Sequence, residues 1–291
     1  MNVSLYFKHH WRHDNVSSQW ASTRCSLVRK HALPVLGEKL FRDLQPRDLQ
    51  AVLDATGHLE PTTANKIVFN ALRGLLRDAT RDGFATYDLV PRLFSQVAKT
   101  KDNTPAQPPA ALTEPQRDAV LKALTFCSTA DEALFVRFLF YTGCRPSEAL
   151  GLAWGDIDAR SQRAFIQRGK VNGQFTTLKT RRSRRWIEIP ESLWLALMAN
   201  PLSDDRLIFE DVRIQSVRLV WNKVVARLRI DPKPRLYNAR HTFISLALSA
   251  GAPLQVVAAQ VGDHQSIVER TYYRYIPKGA TDWDRFLGSG S

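Results

Sequence analysis

Arg163-Ala-Phe-Ile-Gln-Arg168-Gly-Lys170-Val171-Asn172-Gly173-Gln174-Phe-Thr-Thr-Leu178-Lys179-Thr-Arg-Arg-Ser-Arg-Arg185-Trp-Ile-Glu-Ile189-Pro190 is the stretch in which the period of the chain changes. Short runs with aromatic and β-branched residues are separated by turn residues, a pattern of strands rather than of a helix. Three antiparallel strands are predicted: Arg163 to Arg168, Gln174 to Leu178 and Arg185 to Ile189. Val171-Asn172-Gly173 is the first turn, because Asn-Gly accepts the positive φ angles of a tight hairpin. Working away from this stretch, the period becomes helical on both sides. Glu114 to Ala123 and Asp131 to Tyr141 precede a turn at Gly143, and Glu191–Ala199, Val212–Leu228, Tyr237–Ser249 and Leu254–Val261 follow Pro190. With no internal repeat and no βαβ alternation, the reading is a mainly α fold with a small antiparallel sheet, an α+β domain.

Further upstream the pattern is helical throughout. Leu36, Leu40 and Phe41 precede a break at Pro46, Leu49, Val52 and Leu53 run to a stop at Gly57, and Thr62 or Thr63 is expected to cap the next helix. That helix carries the apolar stripe Ile67, Val68, Ala71, Leu72, Leu75 and Leu76. Lys66, Asn70, Arg73 and Arg77 fall near one polar face, which reads either as a solvated face or as a surface for a DNA backbone. From Val97 to Leu112 the chain is polar and rich in proline, with no apolar period to bury. The expected organisation is therefore a helical domain over 1–97, a linker over 98–112 and a second domain over 113–291.

The 291 residues hold 41 Lys and Arg against 28 Asp and Glu, a formal charge of +13, while 44% are apolar, enough to build cores. Residues 1–97 carry 13 basic and 9 acidic side chains and residues 114–291 carry 26 and 18, so both halves are basic, as expected of two domains closing on one duplex. Nucleic acid is the leading partner and an anionic membrane surface the second. No run is long and apolar enough to span a membrane, and charges at Lys8 and Arg12 interrupt any signal-peptide core. Cys25, Cys127 and Cys144 are odd in number and scattered, which fits neither a disulfide framework nor a zinc site; a reducing, cytoplasmic setting is expected.

Acidic residues are dispersed, with no HExxH, EF-hand or P-loop pattern, so no metal and no cofactor are expected. Arginines inside apolar segments stand out instead. Tyr141-Thr-Gly-Cys-Arg145-Pro-Ser-Glu148-Ala-Leu-Gly-Leu152 places Arg145 between two apolar helices, where a guanidinium is costly to bury unless an anion receives it. Glu148 can brace it, and an Arg–Glu pair that only fixes the turn is the plainer reading of the same residues. Arg240 and His241 open an apolar helix, where donors can converge on a phosphate. Lys179 lies within residues 160–190, which hold nine basic side chains and one acidic, including Arg181, Arg182 and Arg184; this favours a groove-facing hairpin. Finally, Val261-Gly-Asp263-His264 leads to Arg270-Thr-Tyr272-Tyr273-Arg-Tyr275. Tyrosines so spaced are commonly packing, but a phenol can attack a phosphodiester when cations stabilise the phenolate.

Arg, Lys, Arg and Tyr in this order, with these flanks, resemble the tyrosine recombinase (phage integrase) family over most of the chain. The Arg145 box, the Lys179 hairpin, Ala239-Arg240-His241-Thr-Phe and the segment from Val261 to Tyr272 each resemble a family motif, and the upstream helices resemble its core-binding domain, with no arm-binding domain expected ahead of it. The resemblance implies a site-specific recombinase that cuts and rejoins double-stranded DNA through a 3′-phosphotyrosyl link, without metal or ATP, as a tetramer on paired sites. Tyr272 would attack, Arg145 and Arg240 would clamp the phosphate and Lys179 would protonate the leaving oxygen. Glu148 would position Arg145, His241 would support the site, and Tyr237 with Asp263 or His264 would complete the hydrogen bonding. The chain departs from the family pattern in two places. Tyr237 stands where a His is usual, and Asp263 stands where His or Trp is usual, with His264 next. Counting from Gly262 selects Tyr272 as nucleophile, and counting from His264 selects Tyr273; the first is preferred because the trailing Tyr272-x-x-Tyr275 pattern supports it. An inactive DNA-binding regulator of the same fold is the alternative.

Overall fold

The computed structural model describes residues 1–12, 16, 18–100, 110–178, 180–199, 201 and 203–276. Lys179 and most of the expected linker lie outside them. The chain divides into two compact units, Met1–Ala106 and Gln107–Ser291.

The first unit is helical: α1 (Val3–His9), α2 (Ser18–Leu27), α3 (Leu33–Leu36), α4 (Pro46–Ala55), α5 (Pro61–Asn65), α6 (Arg73–Arg81) and α7 (Leu89–Phe94). Wider π-type turns at Val28–Ala32 and Lys66–Leu72 join α2 to α3 and α5 to α6. The stripe Ile67, Val68, Ala71, Leu72, Leu75 and Leu76 is buried in this unit's core, each large aliphatic contributing roughly 1.5–3 kcal/mol. Two local expectations change. Pro61, not a threonine, starts α5: its fixed φ and missing N–H suit the first helical position, which leaves Thr62 and Thr63 inside the first turn. Leu36 ends α3, and Phe41 sits in a separate 3₁₀ turn, so the two reach the core from different segments. Lys66, Asn70, Arg73 and Arg77 are all exposed. Lys66 Nζ lies 5.2 Å from the Trp20 ring and the Arg73 guanidinium 5.1 Å from that of Phe94, which holds both cations on aromatic faces.

The second unit begins with α8 (Glu114–Cys127) and α9 (Ala130–Thr142), each opened by a capping box, Thr113 with Gln116 and Thr129 with Glu132. The short α10 (Pro146–Leu150) leads into β1 (Ile157–Asp158), β2 (Arg163–Ile166), β3 (Arg168–Val171), β4 (Gln174–Thr177) and β5 (Arg185–Glu188), then α11 (Glu191–Leu197), α12 (Ile214–Arg227), α13 (Asn238–Ser249), α14 (Leu254–Val261) and α15 (Gln265–Tyr272). The strands form two sheets rather than the single one expected. One has the order β1-β2-β5 and the other is the hairpin β3-β4, all antiparallel. The predicted first strand breaks at Gln167, because buried Asp156 draws both neighbours aside: it accepts from Gln167 Nε2 at 2.5 Å and Arg168 Nη2 at 2.8 Å. The hairpin turns at Asn172 and Gly173 with φ of 51° and 79°, as Asn-Gly predicts. The main core packs α8, α9, α11 and α12 around Phe135, Phe138, Leu139, Leu193 and Trp221. A smaller cluster, Ile244, Leu248, Val257, Val261, Val268 and Tyr272, unites α13, α14 and α15.

Candidate active site

Two helix ends create the centre of the site. Helices α9 and α14 each terminate in a left-handed glycine, Gly143 at φ 68° and Gly262 at φ 72°. A side chain at Gly143 would meet Phe243 and Val261 at under 3 Å, so glycine is required there for space as well as conformation. The carbonyls freed at these ends face one guanidinium: Arg240 Nη1 donates to Gly143 O at 2.9 Å and to Val261 O at 2.8 Å. Helix C-termini favour a cation, and this explains how Arg240, on the first turn of α13, is only 2% exposed. Its Nη2 donates to Asp263 Oδ2 at 2.6 Å.

Arg145 comes to the same carboxylate from the loop between α9 and α10. Its Nη2 donates to Asp263 Oδ1 at 2.7 Å and its Nη1 to Glu148 Oε1 at 2.6 Å, while its backbone N–H caps α10 through Glu148 Oε2 at 3.0 Å. Glu148, 1% exposed, also accepts from Arg185 Nη2 at 2.9 Å. Burial works against this carboxylate, but the Arg185 and Arg145 charges prevail and hold it below its ordinary pKa. For Arg145, burial works in the opposite direction, yet Glu148 and Asp263 raise its pKa and keep it a cation. Asp263 therefore spans two guanidiniums, one oxygen on each.

Arg185 was not among the expected site residues, although its signal is in the alternation of β5. Arg185 and Ile187 point inward while Trp186 and Glu188 point out, which puts a guanidinium on a buried face. There it donates to Ser183 O at 2.9 Å and to Gln260 O at 2.7 Å as well as to Glu148, tying β5 to α14 and α10. Cys144, beside it, is buried, and that burial pushes its thiol up to about 11, as a small core residue rather than a nucleophile.

The other expected residues divide. Tyr272, at the end of α15, is 4% exposed, and its hydroxyl is hydrogen-bonded to His241 Nδ1. Burial pushes the phenol above its ordinary value, and Arg240 pulls the other way. Burial and then Arg240 lower the pKa of His241, which favours the neutral imidazole. Tyr237 is 41% exposed, with its ring 5.3 Å from His241. His264 turns away: its Nδ1 caps α15, accepting from Ser266 N at 3.2 Å. Tyr273 is 57% exposed. Arg182 and Arg184 are exposed next to the segment that carries Lys179. Among the described residues no three His, Cys, Asp or Glu side chains group as a metal site.

Residues 111–278 match the model of the phage integrase family. The chain belongs to that family. Among curated relatives, an integrase of Streptomyces ambofaciens is 26% identical over 280 residues, covering 85% of this chain and 69% of its own length. Of solved structures, the Tn1549 transposon integrase in complex with a circular intermediate DNA aligns over 99% of this chain and 98% of its own, at 18% identity and a TM-score of 0.73. A lambda integrase tetramer bound to a Holliday junction covers 86% of this chain and 73% of its own, at 13% identity and a TM-score of 0.60. These likenesses establish a shared fold, mainly helical with small antiparallel sheets. Among the described residues no helix is long and apolar enough to cross a membrane.

Proposed function

We propose that this member of the phage integrase family is a site-specific DNA recombinase, cutting and rejoining double-stranded DNA through a 3′-phosphotyrosyl intermediate. One observation carries the reading: Arg145 and Arg240, far apart in sequence, meet on a single carboxylate, and the charges of Arg240 and that carboxylate act on the buried Tyr272 phenol. Asp263 stands where an anion with two oxygens is received, one per guanidinium, as the non-bridging oxygens of a phosphodiester are. The scissile phosphate takes its place when DNA binds, and Asp263 swings out. Tyr272 Oη attacks phosphorus, Lys179 protonates the departing 5′-oxygen, and the arginines stabilise the charge that develops on the equatorial oxygens. Glu148, itself held by Arg185, sets the direction of Arg145. The covalent link conserves the phosphodiester energy, so the reaction needs no ATP and no metal. The exposed Lys66, Asn70, Arg73 and Arg77 of the first unit, with Arg181, Arg182 and Arg184 of the second, hold the DNA backbone, and four copies assemble on paired sites, as the lambda integrase does on its junction.

The test is an SDS-resistant adduct between the protein and a nicked duplex taken from the DNA flanking its own gene, in EDTA and without ATP. Wild type and Tyr273→Phe are expected to form it and Tyr272→Phe is not. Adduct from Tyr272→Phe overturns the nucleophile, and bound DNA with no adduct from wild type leaves a DNA-binding regulator of this fold.

A further inference from the structure

The hydrogen bond between Tyr272 and His241 joins the proposed nucleophile to the imidazole that follows Arg240 on α13 and is acted on by the charges of Arg240 and Asp263. His241 follows Arg240 on the first turn of α13, so the contacts that lock Arg240 onto Gly143 and Val261 also fix the origin of the imidazole. On the other side α15 packs its Val268 and Tyr272 into the α13–α14 cluster, which fixes the phenol. The two rings lie 5.8 Å apart, centroid to centroid, with the contact made through Nδ1. We propose that His241 is the catalytic proton acceptor for Tyr272, taking the phenolic proton on Nδ1 as Tyr272 Oη attacks phosphorus.

The proposal rests on the recombinase reading and adds a role to the same site. In the cleavage step the Oη–H bond breaks and its proton passes to Nδ1. The Oη–P bond forms, the P–O5′ bond breaks, and O5′ receives its proton from Lys179. In religation the 5′-hydroxyl attacks phosphorus and gives its proton back to Lys179, and the imidazolium returns the first proton to Oη. Every proton is accounted for, and no further reactant enters.

The charged and titratable groups around His241 suit the task. Arg240 on its own helix and the surrounding burial keep the ring neutral and able to accept, and Asp263, from the turn after α14, opposes them and favours the imidazolium once it forms. Tyr237 packs edge-on against the ring from the start of α13, and the Tyr275 ring lies tilted beyond Tyr272, 6.4 Å away. A neutral acceptor matters because burial makes the Tyr272 phenol harder to ionise, so without a base it would stay a poor nucleophile near neutral pH.

His241→Asn separates a chemical role from a structural one. The Asn oxygen can occupy the place of Nδ1 and accept the same hydrogen bond, yet it cannot take a proton. Single-turnover adduct formation on the nicked flanking duplex is expected to fall by about 10²–10⁴-fold in both His241→Asn and His241→Ala, with DNA binding unchanged. Imidazole in the buffer is expected to restore part of the rate to His241→Ala, and the acid limb of the wild-type pH–rate profile is expected to vanish in His241→Asn. A duplex with sulfur in place of the bridging 5′-oxygen, whose leaving group needs no protonation, is expected not to rescue either variant. Wild-type rate in His241→Asn, or rescue by the sulfur leaving group, overturns the assignment. A DNA-free measurement stands beside these: nitrogen-15 NMR of the whole chain is expected to show His241 with its proton on Nε2, and a proton on Nδ1 overturns the proposal. No adduct from wild type removes the recombinase reading and this role with it, whereas an adduct that is indifferent to His241 removes this role alone.

Discussion

Arg24 in the first unit and Arg240 in the second are both nearly inaccessible arginines paired with an aspartate, and they serve opposite ends. Arg24 Nη2 meets Asp78 Oδ2 at 2.9 Å with side-chain exposures of 4% and 8%, Trp11 donates to the same carboxylate oxygen, and the indole lies 4.7 Å from the guanidinium. Both partners of that pair are enclosed, and Arg24 Nε makes no hydrogen bond among the described residues. Arg240 is as deep, but its aspartate is 23% exposed and shared with Arg145, itself 30% exposed. A buried pair closed on both sides organises a core, whereas a buried cation whose counter-ion faces solvent can exchange that counter-ion for another anion. The depth of the arginine is therefore less informative than the exposure of the carboxylate that neutralises it.

That contrast can be broken experimentally, and the largest expected effect is at Arg240. Arg240→Lys keeps the charge but cannot reach Gly143 O, Val261 O and an anion at once, so adduct formation should fall by about 10³-fold while binding of the duplex persists. Arg24→Met should do the reverse. Asp78 would keep Trp11 and the exposed Arg77 and Arg81 as partners but lose its one buried cation, which should cost about 1.5–3 kcal/mol in urea unfolding, with the adduct yield per folded molecule unchanged.

Glu148→Gln tests the bridge between the two classes, since Glu148 is enclosed like Asp78 yet serves Arg145. It should lower stability at neutral pH by about 1.5–3 kcal/mol. The folded-state pKa of Glu148 lies below its unfolded value, so its contribution is complete above the ordinary glutamate pKa and is lost as the pH falls through the lower folded one. The gap between wild type and Glu148→Gln should accordingly close on acidification, and a gap that widens would contradict the ion-pair account. Asp263→Asn removes the exchangeable counter-ion: with no carboxylate to displace from Arg145 and Arg240, DNA should bind more tightly, and most so at low salt. Lys66→Gln, at a solvated face, should produce the smallest change, a log–log salt slope shallower by about 0.9 with no effect on the cleavage step.

Much of this molecule was legible in its residues. The helical period located α8 and α9 and α11 to α14, Asn172-Gly173 located the hairpin turn, and the stripe from Ile67 to Leu76 was indeed core. These features depend on neighbours within a few positions, where periodicity and turn chemistry operate. The split of the sheet at Gln167 was not legible, because it depends on Asp156 accepting from two later residues. Arg185 was legible only in part: alternation along β5 puts it on one face with Ile187, but that this face is the inner one is decided by the packing of β5 against β2 and α14.

By itself the sequence determined that arginines lie inside apolar segments, that an aspartate and a histidine flank the last box, and that two tyrosines could each stand at its end. Only the tertiary structure decided that Asp263 joins Arg145 to Arg240, that His264 is spent on a helix cap, and that Tyr272 rather than Tyr273 turns inward to His241. The physical reason is that burying a guanidinium requires an acceptor at a fixed distance and angle, and the acceptors here come from three separate helix ends. Composition lists the cations, but which anion each one meets is settled by how those ends pack.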